Sequence, residues 1–245
     1  MQQKAARPSL RDASRKEIAM RLVSSAENSS TRWQDQYRYV EDIGDGRGYT
    51  AGIIGFCSGT GDMLDLVEYY DQLVPGSRLG AYLPALRKVN GTGSLRGLDG
   101  FADAWRDAAD KDPLFRRAQD DLRDTMYFEP AVSRAAADGL GPLGQFIYYD
   151  AMVVHGPGGG PLSFGGIRTA AMRAAKVPAR GGHEAAYLAA FLNARDAVMR
   201  DPEDVHQDLD RTIAQRRVLA DGNFNLDLPL AWKMYGGTFS IASVD

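Results

Sequence analysis

Residues 37–57 read YRYVEDIGDGRGYTAGIIGFC, a texture unlike that of the chain on either side. Tyr37 and Tyr39 alternate with other residues, Gly44, Gly46 and Gly48 follow closely, and Tyr49 to Phe56 is rich in β-branched and aromatic side chains. Clustered glycines mark turns, and β-branched or aromatic residues fit a pleated surface. The stretch therefore predicts a small strand-and-turn element.

Outward from it the apolar residues take up a helical period. Ile18, Ala19, Leu22, Val23 and Ala26 share one face, and Ser14 with Glu17 has capping-box spacing. This predicts a first helix from about Arg15 to Glu27, stopped by Asn28, Ser29 and Ser30, whose short polar side chains compete for backbone hydrogen bonds. Met63, Leu66, Val67 and Tyr70 resume the period from Asp62, with Ser58 or Thr60 placed to cap. Further helices are expected at Phe101–Lys111, Pro113–Tyr127, Pro142–His155, Ser163–Lys176, His183–Met199 and Asp208–Ala220, with proline opening two of them. Glycine-rich connections at Gly91–Gly100 and Gly156–Gly166 separate these blocks, and no internal repeat spans them. The expected class is α+β, mainly α-helical, with one small β-sheet at about 37–57.

Composition narrows the function classes. A chain of 245 residues with 44% hydrophobic and 25% charged residues is long enough for one large domain or two lobes, and excludes a disordered or fibrous protein. Its net charge of -3 argues against a nucleic-acid binder, which needs clustered Lys and Arg, and is compatible with a cationic partner. Cys57 is the only cysteine, so neither an intramolecular disulfide nor a Cys-based metal cluster can form. Met1 to Ser14 is polar and basic, and no stretch has the roughly 20 apolar residues of a membrane span.

Two carboxylates stand out. Glu27 follows Val23 by four residues and prolongs an apolar stripe at the carboxyl end of its helix, where apolar neighbours and the helix dipole would both penalise ionisation. Asp45 lies between Gly44 and Gly46 in a turn that would display it openly. A glycosidase needs two such groups in different environments, one protonated and one ionised. The plain alternatives are a solvated helix-end acid and an Asx-turn residue, and spacing leaves both readings open.

Other chemistries find less support. The Gly44–Gly48 run precedes a strand-like segment and lacks the Lys-Ser/Thr of a P-loop, and Asp62 would repel a phosphate at the helix opened by Gly59-Thr60-Gly61. There is no Gly-x-Ser-x-Gly elbow and no His-Glu-x-x-His, and the histidines are His155, His183 and His206. Cys57 in an apolar strand-like stretch reads as a buried inert thiol, with a Cys–His pair left open. Asp150 and Arg195 each interrupt an apolar helical face, an arrangement that points to a buried ion pair, or else to two polar residues at a core margin.

Taken together, Ser24-Ser25-Ala26-Glu27-Asn28-Ser29 and Tyr39 to Thr50, then Gly55 to Asp62, Tyr148-Tyr149-Asp150, His155-Gly156-Pro157-Gly158, Ser163-Phe164-Gly165-Gly166 and Trp232-Lys233, resemble the chitosanases of glycoside hydrolase family 46. The resemblance covers nearly the whole chain. It implies a lysozyme-like fold, a single catalytic domain (1–245) of two lobes around a substrate cleft. It also implies endo-hydrolysis of β-1,4-linked glucosamine polymer with inversion, Glu27 acting as acid and Asp45 as base. By matching position, Thr50 would hold the attacking water, Arg47 would steer Asp45, and Asp62 would bind a substrate ammonium. Tyr39, Thr60, Tyr127, His155 and Glu203 would line the cleft, and Asp150, Arg195 and Arg211 would form a charged network behind the acid. Asp201 to Asp210 departs from the family pattern in length and acid placement, with Gln207 where an acid often follows the histidine, and Glu203 falls inside this segment. Such enzymes are exported, so the implied site of action is extracellular and the basic N-terminus would be a mature one behind a start methionine. The implied partners are chitosan and glucosamine oligosaccharides, without nucleic acid, membrane, metal or cofactor, and the expected state is a monomer. A non-catalytic carbohydrate-binding protein and a hydrolase of chitin or peptidoglycan are the alternatives.

Overall fold

The computed structural model describes residues 8–202 and 208–244. The chain forms two compact units, one from Arg32–Thr125 and the other from the segments up to Thr31 and from Met126 onward.

The Arg32–Thr125 unit carries a three-stranded antiparallel sheet in the order β1 (Val40–Asp42), β2 (Tyr49–Ala51), β3 (Phe56–Cys57). Thr50 lies between Glu41 on β1 and Cys57 on β3 in the register, so the three side chains share a face. The sheet shares one core with α2 (Asp62–Leu73), α3 (Leu83–Val89), α4 (Phe101–Lys111) and α5 (Pro113–Arg123). Phe56, Met63, Leu66, Phe101, Trp105 and Phe115 are fully buried and supply the apolar area that holds the unit together. Two buried polar groups fix the approach to β1, since Trp105 Nε1 and Gln119 Nε2 both donate to the Tyr37 carbonyl, at 2.9 and 3.0 Å.

The second unit is built on α7 (Pro142–His155), whose residues from Pro142 to Met152 are all buried. Around it lie α1 (Ala13–Asn28), α6 (Glu129–Ala137), α8 (Phe164–Ala174), α9 (Glu184–Met199) and α10 (Asp210–Ala220). A hairpin of β4 (Leu230–Met234) and β5 (Gly237–Ile241) completes the unit. Trp232 Nε1 donates to Ser25 Oγ at 2.9 Å and so ties the hairpin to α1.

Several expectations need correction. The first helix begins at Ala13 behind Asp12, leaving Ser14 inside the helix and the predicted capping box unformed. Gly61 precedes α2 without a side-chain cap, and the Thr60 hydroxyl turns instead to Asp62. The helix expected over Pro113–Tyr127 ends at Arg123, passes through a π-helical turn at Asp124–Phe128, and restarts as α6. Pro130 explains the break, because it has no N–H to offer the preceding turn. The hairpin is a second sheet where one was expected. Its alternation of buried Leu230, Trp232 and Met234 and its Tyr235-Gly236 turn, both at positive φ, are a strand signal.

Candidate active site

In the Arg32–Thr125 unit the turn between β1 and β2 carries Asp45. Gly44, Gly46 and Gly48 all sit at positive φ, which allows the chain to reverse tightly. Asp45 Oδ1 accepts from the Arg47 backbone N–H at 3.0 Å, and Oδ2 accepts from Arg47 Nε at 2.7 Å. Desolvation pushes the Asp45 pKa up, but these hydrogen bonds and the guanidinium charge outweigh it and hold the carboxyl below its ordinary range. Asp45 is thus an ionised group of fixed orientation, as a base requires.

Beyond the turn, β2 places Thr50, 9% exposed, with its hydroxyl 3.5 Å from Cys57 Sγ. Cys57 is buried and its thiol donates to the Gly55 carbonyl, in keeping with an inert packing role. Asp62 opens α2, and its Oδ1 accepts from Cys57 N at 2.9 Å, Met63 N at 3.0 Å and Thr60 Oγ1 at 2.6 Å. Oδ2 has no hydrogen bond among the described residues. Burial raises the Asp62 pKa, and the hydrogen bonds offset only part of that rise. Tyr39, at the entry to β1, points its hydroxyl at Glu41 Oε2, 3.4 Å away.

In the second unit α1 carries Glu27 in its last turn, just before Ser29 at positive φ. The expected apolar surrounding is not what its carboxylate meets. Arg211, from the first turn of α10, donates through Nη2 to Glu27 Oε1 and through Nη1 to Asp150 Oδ1, the latter at 2.6 Å. Asp150 Oδ2 in turn accepts from Arg195 Nη1 at 2.6 Å and from Gln215 Nε2 at 2.8 Å, and Arg195 Nε donates to His155 Nε2 at 3.2 Å. Asp150, Arg195 and Arg211 are buried. The predicted Asp150–Arg195 pair therefore exists, and Arg211 joins it. Burial would raise the Asp150 pKa, yet the two guanidiniums bring it down to about 2. Two cations face one anion in this cluster, an excess of positive charge beside Glu27.

The candidate residues thus fall into two sets. Tyr39, Asp45, Arg47, Thr50, Thr60 and Asp62 surround the three-stranded sheet, while Glu27, Asp150, His155, Arg195 and Arg211 form one connected chain in the other unit, with Tyr127 in the π-helical turn. Glu203 lies outside the described residues. Sequence reasoning missed Gln215, whose signal is its place four residues after Arg211 on the same helical face. No group of three His, Cys, Asp or Glu side chains arranged to hold a metal occurs among the described residues.

The model of glycosyl hydrolase family 46 matches residues 21–230. The chain belongs to this family. As a family 46 glycoside hydrolase it is 59% identical over 236 residues to a chitosanase of Streptomyces sp. (strain N174), covering 96% of this chain and 84% of that protein. It is 36% identical over 225 residues to a chitosanase of Bacillus subtilis (strain 168), covering 88% and 80%. Among solved structures, chitosanase OU01 crystallised with substrate superposes with a TM-score of 0.93 at 53% identity, covering 96% of this chain and 100% of the other. The family 46 chitosanase of Gynuella sunshinyii in complex with chitotetraose gives a TM-score of 0.86 at 33% identity, covering 94% and 98%. The mainly helical family 46 fold with small antiparallel sheets is therefore that of this chain.

Proposed function

We propose that this family 46 hydrolase cleaves β-1,4 bonds within chitosan, with inversion, and releases glucosamine oligosaccharides. The substrate assignment rests on the relatives named chitosanase at 59% and 36% identity. The chemistry rests on one observation above all, the ionised Asp45 pinned by Arg47 beside the strand that carries Thr50.

In this reading Asp45 takes a proton from a water that the Thr50 hydroxyl helps to orient, and the water oxygen bonds to the anomeric carbon. Glu27 gives its proton to the glycosidic oxygen as that bond breaks. The carboxylate left on Glu27 is stabilised by Arg211, whose position is fixed from behind by Asp150. Asp62, with one oxygen committed to the protein and the other available, takes a substrate ammonium. Tyr39, Thr60, Tyr127 and His155 contact the sugars, and Glu203 joins them on the resemblance alone. All of these roles fall on one chain, and the enzyme is proposed to act as a monomer. Because an intact polysaccharide does not enter a cell, it acts outside it.

Glu27→Gln tests the assignment, since it removes the transferable proton while keeping an acceptor for Arg211. Reducing-end release from chitosan should be abolished with the melting temperature preserved, and substantial residual turnover sinks the reading. Proton NMR of the first products should show the α-anomer, and a β-anomer appearing first contradicts inversion.

A further inference from the structure

We infer that Gln215 is a positioning residue for the acid step, holding the Asp150–Arg195–Arg211 cluster in register while leaving its excess positive charge to face the carboxylate that Glu27 becomes once its proton is given. The inference rests on the reading of Glu27 as the acid.

Gln215 is 4% exposed and uses both ends of its amide. Nε2 donates to Asp150 Oδ2 at 2.8 Å, and Oε1 accepts from Arg195 Nη1 at 3.3 Å. An amide is the neutral group that can do both at once, since it carries a donor and an acceptor. A carboxylate in its place would also reach Arg195, yet would add a second negative charge beside Asp150. The cluster would then be neutral without Glu27, and Arg211 would have less reason to hold the Glu27 carboxylate. Gln215 and Arg211 stand one helical turn apart on α10, so the residue that arranges Asp150 is rigidly linked to the one that touches Glu27.

Other charged and titratable groups of this unit act on the cluster: Asp196, one residue after Arg195 on α9, acts on the Arg195 guanidinium and is itself paired with Arg216 Nη2 at 2.8 Å, a pair that leaves the excess of one positive charge unchanged. Tyr235, in the β4–β5 turn, lies beside the Arg211 guanidinium with Asp208 acting on it, and His155 caps Arg195 Nε. The cluster adjoins a cavity of about 20 Å³ lined by Asp150, Arg211 and Gln215 and otherwise by apolar side chains, among them Phe146, Trp232 and Met234, so that beyond the cluster itself little is at hand to compensate a new charge.

The test compares Gln215→Glu with Gln215→Leu and Gln215→Ala on soluble chitosan oligomers, following kcat, KM and the pH profile of kcat together with thermal melting. Gln215→Glu should lower kcat with KM nearly unchanged and move the alkaline limb upward on the order of one pH unit, the size of one added charge at this distance. The neutral variants, which lose both amide bonds, should lower kcat with KM nearly unchanged and leave the limb in place, and a folded neutral variant with the parent's kcat overturns the positioning role. If Gln215→Glu does not fold, Arg195→Gln removes the same positive charge from the other side and should move the limb in the same direction. A limb that stays put in whichever of Gln215→Glu and Arg195→Gln folds overturns the inference. An active Glu27→Gln enzyme would instead overturn the assignment of the acid, so the two failures are told apart.

Discussion

Arg47 holds Asp45 at two points, through its backbone N–H at 3.0 Å and its Nε at 2.7 Å. Both bonds favour the ionised carboxyl, and they are why its pKa lies below the ordinary range despite the desolvation of the turn. Arg47→Ala keeps the backbone bond and removes the guanidinium. The Asp45 pKa should then rise, so the acid limb of kcat/KM should move to higher pH, with activity partly recovered on the alkaline side. An unchanged acid limb in Arg47→Ala means that Asp45 is not the base that limits activity at low pH.

The buried Asp150 predicts a stability profile. Its folded pKa is depressed from 3.8 to about 2, so it contributes stability that is fully present above the unfolded value and is lost as pH falls through the folded one. Urea unfolding should show a loss of about 2 kcal/mol from Asp150 between roughly pH 4 and pH 2. Asp150→Asn should lack this portion and be less stable near neutrality by about 3–5 kcal/mol, since two buried guanidiniums lose their counter-ion. A variant with the wild-type slope below pH 4 would assign that slope elsewhere.

The sequence showed some of this and hid the rest for physical reasons. Helices α4 and α7 have the limits expected of them because local chemistry sets both ends. Gly100 in the left-handed region precedes α4, and Pro142 opens α7 with Gly156 closing it. Asp150 and Arg195 were legible because each breaks an apolar face that otherwise packs. The contact of Arg211 with Glu27 spans 184 positions and leaves no local trace. The apolar stripe predicted the burial of Val23 and Ala26 but not the cation that meets the next residue. Helix α3 was missed for its shortness, and α6, which lies wholly beyond the helix expected to end at Tyr127, was missed because Pro130 reads as a stop although it sits in the helix's first turn.

Asp62 should separate chitosan from its acetylated relatives. Three hydrogen bonds converge on Oδ1, and in the proposed reading Oδ2 meets the sugar nitrogen, where a free ammonium gives an ion pair and an acetamide N–H only a weaker bond with no positive charge behind it. Asp62→Asn retains an acceptor for Cys57, Met63 and Thr60 while removing the charge. A bond of this kind contributes roughly 1.5–3 kcal/mol, so kcat/KM on chitosan should fall about ten- to a hundredfold. The fold should not suffer. Burial already raises the Asp62 pKa, so the protein bears a cost for ionising it near neutrality, and a neutral amide escapes that cost. Asp62→Asn should therefore melt no lower than the parent at pH 7. The wild-type contribution should also fade as pH falls through the raised pKa, narrowing the gap between the two enzymes in acid. If both cleave chitosan equally well near neutrality, or if the parent turns over fully acetylated chitin as fast as chitosan, the ammonium is read somewhere other than residue 62.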